Sequence, residues 1–162
     1  MNKTRASVAA VAIIVVSVVL FILSRKFHYV DSRPATALAD AFFNDLQKGD
    51  VDRTFQKYDA RYIDPKNGEW LRLLQGLNSR YGPITSYLLA NTAIVPVADI
   101  GCSLLHYNIH RAQLITEENL IVCPTSQDSN NYLIVGHSLH RMDTDQSIVV
   151  GLSVHEERGR VP

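Results

Sequence analysis

The side chains best equipped for chemistry in this 162-residue chain are its histidines, its tyrosines, its single tryptophan and its two cysteines. His137 falls in an alternating stretch, Leu133, Val135, His137 and Leu139, which puts it on a mostly apolar face of an expected strand. An imidazole in an apolar pocket can act as a general base or hydrogen-bond donor, because burial tunes its proton affinity near neutral pH. The plainer role is a core or rim histidine bonded to backbone or water. Tyr58 and Tyr62 lie along one side of an expected short helix, Trp70 heads a later helical stripe, and Tyr107 belongs to another strand. His137, Tyr58, Tyr62, Trp70 and Tyr107 are therefore the ligand-pocket candidates.

His106 and His110 share a strand face, but four residues apart on a strand their Cα atoms stand roughly 13 Å apart. One ion cannot bridge them, and no third ligand follows, so no metal site is expected. Walker, dinucleotide, G-x-S-x-G, H-E-x-x-H and paired C-x-x-C motifs are missing from the sequence. No catalytic residue and no cofactor is assigned. Cys102 and Cys123 form an even pair that permits one disulfide, closing a loop of about 20 residues. A hairpin turning near Glu117-Glu118 would set Cys123 opposite Ala112, so a bonded pair and two free buried thiols both remain open.

The elements that must position these residues follow from composition and period. The chain is 46% apolar and carries 16 basic and 16 acidic residues. Four of the basic residues, Lys3, Arg5, Arg25 and Lys26, bracket an N-terminal apolar run, and every acid lies beyond residue 30. The portion from Asp31 onward is thus acidic, without the positive stripe that nucleic-acid binding requires. Ala6 to Ser24 is uncharged and free of proline. As a helix it spans roughly 28 Å, close to a bilayer's hydrocarbon thickness. Its length, and the Arg25-Lys26-Phe27 that follows in place of a small-x-small cleavage site, favour an uncleaved signal anchor over a signal peptide. Residues 1–5 then form a tail, 6–24 the transmembrane anchor and 25–32 a juxtamembrane linker. A soluble domain occupies 33–155 and a polar tail 156–162. A short N-terminal tail before a long domain favours an extracytoplasmic domain.

Within the domain, helices come first. Asp31 or Ser32 caps a helix with Pro34 in its first turn, apolar residues Leu38, Phe42 and Leu46, and Gly49 at its end. Asp50 caps a second helix bearing Val51, Phe55, Tyr58 and Tyr62. A third runs from Glu69 to Tyr81 with Trp70, Leu73, Leu74 and Leu77 in a stripe, and Gly82-Pro83 stops it. The second half shifts to strands: Ile84 to Val95, Ser103 to Ile115, Glu118 to Cys123, Tyr132 to Arg141 and Ser147 to His155. Helices followed by strands imply an α+β domain, three helices on an antiparallel sheet.

The turn Lys48-Gly49-Asp50, the passage from Tyr58 to Tyr62, and Arg80-Tyr81-Gly82-Pro83-Ile84-Thr85-Ser86 leading into the first strand resemble the nuclear-transport-factor-2-like superfamily. That superfamily includes ketosteroid isomerase and SnoaL-type cyclases as well as small membrane-anchored bacterial domains. The resemblance covers roughly Pro34 to His155 and implies a cone, with a curved sheet roofed by three helices. Enzymes of the superfamily place an Asp or a His–Asp pair inside the cone. The nearest candidates, Asp59 and Asp99, lie outside apolar strand contexts, and Asp59 before Ala60-Arg61 is expected to be a solvated helix end. Members often pair through the exposed sheet face, here expected to carry Tyr132, Ile134 and His140. The expected function is a single-pass membrane protein whose domain is an interaction or assembly module at the cell envelope, docking a protein partner or a second copy. The alternative is an isomerase- or dehydratase-like small-molecule pocket.

Overall fold

The computed structural model describes residues 31–64, 68–126 and 130–152. The expected anchor at 6–24, the tail before it, residues 25–30 of the linker and the C-terminal tail lie outside the described residues. No described helix is long and apolar enough to cross a membrane. What is described is an α+β domain: three helices, then a five-stranded antiparallel sheet in the order β1-β2-β3-β4-β5.

Helix α1 spans Arg33–Lys48 with Pro34 in its first turn, where a missing N–H costs nothing. Gly49 takes the left-handed conformation at φ 75°, and its N–H closes the last turn. The face turned to the sheet is Ala35, Ala39, Phe42, Phe43 and Leu46, while Leu38 is only partly buried. Helix α2 (Val51–Phe55) is capped by the Asp50 carboxylate, which accepts from the Arg53 N–H at 3.2 Å. It stops sooner than its apolar spacing suggests, so Tyr58 and Tyr62 are not helical. Helix α3 (Gly68–Tyr81) buries Trp70, Leu74 and Leu77, and Gly82 follows it at φ 85°.

The strands are β1 (Ile84–Val97), β2 (Ile100–Arg111), β3 (Leu114–Pro124), β4 (Tyr132–Arg141) and β5 (Gln146–Gly151). Strand β4 matches its expected span. The β2–β3 turn does not: it lies at Ala112-Gln113, with Arg111 opposite Leu114. Neither Ala nor Gln is a turn former, so no local turn chemistry marks this corner. Burial of Leu114 in the core and a bond from the Gln113 N–H to the Tyr81 carbonyl (3.2 Å) hold the turn where it is. The corrected register sets Cys102 directly across from Cys123, and the two are disulfide-bonded with Cα atoms 4.5 Å apart. That spacing is the one natural to the closer kind of antiparallel pair.

A second correction concerns β4. Val122 pairs with Ile134 but Ile121 pairs with Gly136, leaving Val135 as an extra residue. This bulge exchanges the two faces of the strand at mid-length. Ile134 therefore joins His137 and Leu139 on the inner, helix-covered face, whereas Val135 joins Ile121 and the disulfide on the outer face. Strict alternation had placed Val135 with His137 and Ile134 with His140. The outer face thus lacks Ile134, and Tyr132 packs against the inner core.

Replacing both Cys102 and Cys123 by Ala removes a cross-link between residues 21 apart. Denaturant unfolding of the oxidised protein and the double variant is expected to differ by about 3 kcal/mol, with the same fold retained.

Candidate functional site

Three elements converge on His137. Strand β5 pairs with β4 only from Gly136 to Arg141, so the edge of β4 at Ile134 is free on that side. The segment after α2 takes this edge: Asp59 N–H donates to the Ile134 carbonyl and Ile134 N–H donates to the Lys57 carbonyl, both at 2.8 Å. Tyr58, between them, is set over the inner face beside His137. On the neighbouring strand, Leu120 stands opposite His137 and Glu118 opposite Leu139. Glu118 is thus a diagonal neighbour of His137, within reach of its long side chain. Trp70, near the start of α3, closes the group from above.

These side chains form one continuous hydrogen-bonded chain. Trp70 Nε1–H donates to the Tyr58 hydroxyl (3.1 Å), which lies 2.7 Å from His137 Nδ1. His137 Nε2 lies 2.9 Å from Glu118 Oε2, and the Thr116 hydroxyl donates to Glu118 Oε1 at 3.0 Å. The Tyr58 proton has one acceptor among these partners, His137 Nδ1. Counting donors therefore assigns the imidazole proton to Nε2, donating to Glu118. The Arg111 guanidinium stands 3.7 Å from Glu118 Oε1, and its Nη1 donates to Asn78 Oδ1 on α3 at 3.2 Å. Its Nε and Nη2 make no hydrogen bond among the described residues. Aromatic rings enclose the imidazole, with centroids at 5.0 Å for Trp70 and 5.5 Å for Phe42, both edge-on.

Charge follows from the partners. Burial by itself would raise the Glu118 carboxyl, but its bond to His137, the Arg111 charge and the Thr116 hydroxyl hold it below the usual carboxylate range. Burial lowers the proton affinity of Arg111, and the nearby Glu118 charge opposes that shift. Burial pushes the Tyr58 phenol well above its ordinary value, so it is a neutral donor and acceptor. The result is a buried carboxylate–guanidinium pair with an imidazole and a phenol attached.

Of the five pocket candidates, the fold brings His137, Tyr58 and Trp70 together. Tyr107 lies apart: its hydroxyl donates to Asp40 Oδ1 at 3.0 Å, and burial followed by the Asp40 charge raises its phenol. Tyr62 is 41% exposed in the turn after Tyr58. Asp59 corrects the expected solvated helix end: it is buried, and its carboxylate holds the Arg61 guanidinium through bonds of 2.9 and 2.5 Å. That ion pair keeps its carboxyl below the ordinary range. Asp99 is exposed in the β1–β2 turn. His106 bonds Asn119 across the outer face and His110 is exposed. Among the described residues, no group of three or more His, Cys, Asp or Glu is arranged to hold a metal ion.

Glu118, Thr116 and Arg111 were not singled out as site residues. Their signal is the alternation Leu114, Thr116, Glu118, Leu120, Val122, an apolar stripe interrupted by two polar residues, visible once the turn sits at Ala112-Gln113. Tyr58, His137 and Glu118 do not line the cleft between α1, α2 and α3, which Leu46, Val51, Phe55, Leu74 and Asn78 border. That cleft holds about 20 Å³, room for one water molecule. No protein-family model matches this chain, and no curated protein or solved structure shows significant similarity to it.

Glu118→Gln removes the buried negative charge and leaves Arg111 uncompensated. Unfolding free energy at neutral pH is expected to fall by about 3–5 kcal/mol. Because folding lowers the Glu118 pKa, its contribution is complete above the unfolded-state value of about 4.3 and is lost as pH falls through the folded value. Other carboxylates also titrate there, so the readout is the difference between the two proteins' pH–stability curves. That difference should shrink on acidification; a constant gap down to pH 2 would show that Glu118 is not ionised in the fold.

Proposed function

We propose that this protein is a membrane-anchored interaction module whose contact surface is the outer face of the sheet, with the domain held outside the cytoplasm. The observation that carries this reading is the closure of the inner site. Tyr58, Trp70, His137 and Glu118 are at most 4% exposed, and each spends its polar atoms on the next. Such a chain of paired groups locks helices to a sheet.

The outer face offers surface of the opposite kind. Leu88, Ile115 and Val149 are exposed there. Beside them run hydrogen-bonded polar rows, Asn119 to Ser138 at 3.2 Å and His140 to Ser147 at 2.8 Å. Exposed apolar residues among satisfied polar ones suit a protein partner or a second copy of the chain. The extracytoplasmic placement is supported by the Cys102–Cys123 bond, since disulfides persist in oxidising compartments. Membrane attachment rests on the Ala6–Ser24 run. Membership in the nuclear-transport-factor-2-like superfamily stays a proposal supported by the order of elements, three helices and then an antiparallel sheet. The enzymatic alternative is favoured by one observation, the hydroxyl–imidazole–carboxylate order of Tyr58, His137 and Glu118, and it requires α3 to lift away before a substrate could enter.

A photo-reactive residue placed at Leu88 or Ile115 of the full chain, in its native membrane, is expected to give discrete adducts. The same residue at Asp52 or Gln75 on the helical side should give none. Adducts should persist in His137→Ala protein, which loses stability alone. Absence of adducts at both outer-face positions, or their equal yield on the helical side, would sink the proposed surface.

Compartment is tested separately. Cells are quenched in acid, and the denatured protein is alkylated with a maleimide before or after reduction. Labelling is expected only after reduction, and full labelling without reductant would place the domain in a reducing compartment.

A further inference from the structure

The sheet has two edges, β1 and β5, and they are finished differently. Which main-chain groups each edge presents follows from the ladder. The Met142 N–H donates to the Ile115 carbonyl at 3.3 Å, so the β3–β4 pairs of the same parity, Glu117–His140 and Asn119–Ser138, are the hydrogen-bonded ones. His137, Leu139 and Arg141 therefore bond to β5, through Val150, Ile148 and Gln146. The Leu152 N–H on the Val135 carbonyl, at 2.9 Å, continues that parity. The main-chain N–H and C=O of Ser147 and Val149 point the other way, to the free edge, and no described residue bonds them. On β1 the edge is blocked. A bulge falls between Leu89 and Asn91, the Asn91 side chain takes the Thr92 N–H at 2.8 Å, and Pro96 has no N–H to offer. These are the devices by which sheets avoid adding a strand. β5 has none of them. Gln146–Gly151 contains no proline and no charge, pairs with β4 without a shift of register, and leaves Ile148 37% and Val149 47% exposed. Asp145 at φ 54° and Gly151 at φ 71° leave the extended conformation and end the strand on both sides, with Ile148 midway between them.

We propose that β5 pairs antiparallel with β5 of a second copy of the chain, across a two-fold axis at Ile148, so that two five-stranded sheets become one. In this register Ser147 of each copy lies opposite Val149 of the other. The two donors and two acceptors that each edge presents then close four hydrogen bonds, and none is left over. Ile148 meets the same residue of the second copy at the closer, non-hydrogen-bonded spacing. Centring the pair on Ser147 or on Val149 would draw Asp145 or Gly151 into the ladder, where the backbone is no longer extended. The two Asp145 carboxylates fall at opposite ends of the pairing, roughly 20 Å apart, so charge does not oppose it. A second copy is the occupant because the strand is bracketed evenly about Ile148, and each copy brings the uncharged, unblocked edge that the other needs. This edge is distinct from the outer face and leaves that face open to a protein partner.

The test is disulfide trapping in the full chain. Ser147→Cys, Ile148→Cys and Val149→Cys are expressed separately, freshly broken cells are treated with copper phenanthroline, and the products are resolved on non-reducing gels. With Cys102 and Cys123 bonded to each other, the added thiol is the one available. Across the two-fold axis, Cα atoms at position 148 stand about 4.5 Å apart, within reach of a disulfide. Those at 147, and those at 149, stand on the order of 8 Å apart and beyond it. Ile148→Cys is expected to give about tenfold more dimer than either neighbour. Adding Val149→Pro removes an edge N–H while Ile148 and Val150 keep their bonds to β4, and is expected to cut that yield about tenfold. Should the proline variant not fold, Val149→Lys places a charge on the edge and is expected to do the same. Equal yields at the three positions, a maximum at 147 or 149, or a yield unchanged by the Val149 substitutions overturns the proposal. Photo-adducts at Leu88 and Ile115 report on the outer face alone, so the two surfaces succeed or fail independently.

Discussion

The Glu118 carboxylate is the constraint on which this domain turns. A buried charge is tolerated only when paired and hydrogen-bonded, and meeting that demand draws in residues from four elements. Arg111 of β2 supplies the countercharge, Thr116 of β3 and His137 of β4 supply hydrogen bonds, and Asn78 of α3 holds the guanidinium. Through His137 the demand passes to Tyr58 and on to Trp70. The same helix α3 is thereby tied to the sheet twice, by Trp70 near its start and by Asn78 toward its end. Between those ties Leu74 and Leu77 supply the apolar contact, which by itself has no direction. The polar chain sets the position of the helix and the apolar stripe supplies attraction.

This chain is closed on itself. Each polar atom of Tyr58, His137 and Glu118 is matched inside the protein. The two faces of the sheet differ in what they carry. The inner face carries the charged network under three helices, and the outer face carries a disulfide cluster at one end and an open mixture of apolar and polar side chains at the other. The β4 bulge makes this division possible, because it turns Ile134 inward and Val135 outward within three residues. It also opens the space over Gly136 through which the chain leaves β5.

Much of the scaffold was legible because local rules decide it. Pro34, Gly49, Asp50 and Gly82 act through their own backbone preferences, and the helix ends fall beside them. The apolar spacings of α1 and α3 and the span of β4 are likewise set by residues close in sequence. The candidate site was half legible: His137, Tyr58 and Trp70 stood out by type and context. Glu118 did not, since its face depends on where the β2–β3 chain turns, and Ala112-Gln113 carries no turn chemistry of its own.

Sequence alone therefore determined the order of elements, the helix ends at Gly49, Asp50 and Gly82, the α+β class and the aromatic and imidazole members of the inner cluster, all properties of short windows of chain. Tertiary structure decided the rest. It set the turn at Ala112-Gln113 by burying Leu114, and so brought Cys102 opposite Cys123. It set the face of Ile134 and Val135 through the bulge, and it moved Tyr58 off a helix onto the free edge of β4. In each case the deciding contact joins residues far apart in the chain. A shift of one position in strand register reverses every side chain beyond it, and only the packed core distinguishes the two registers.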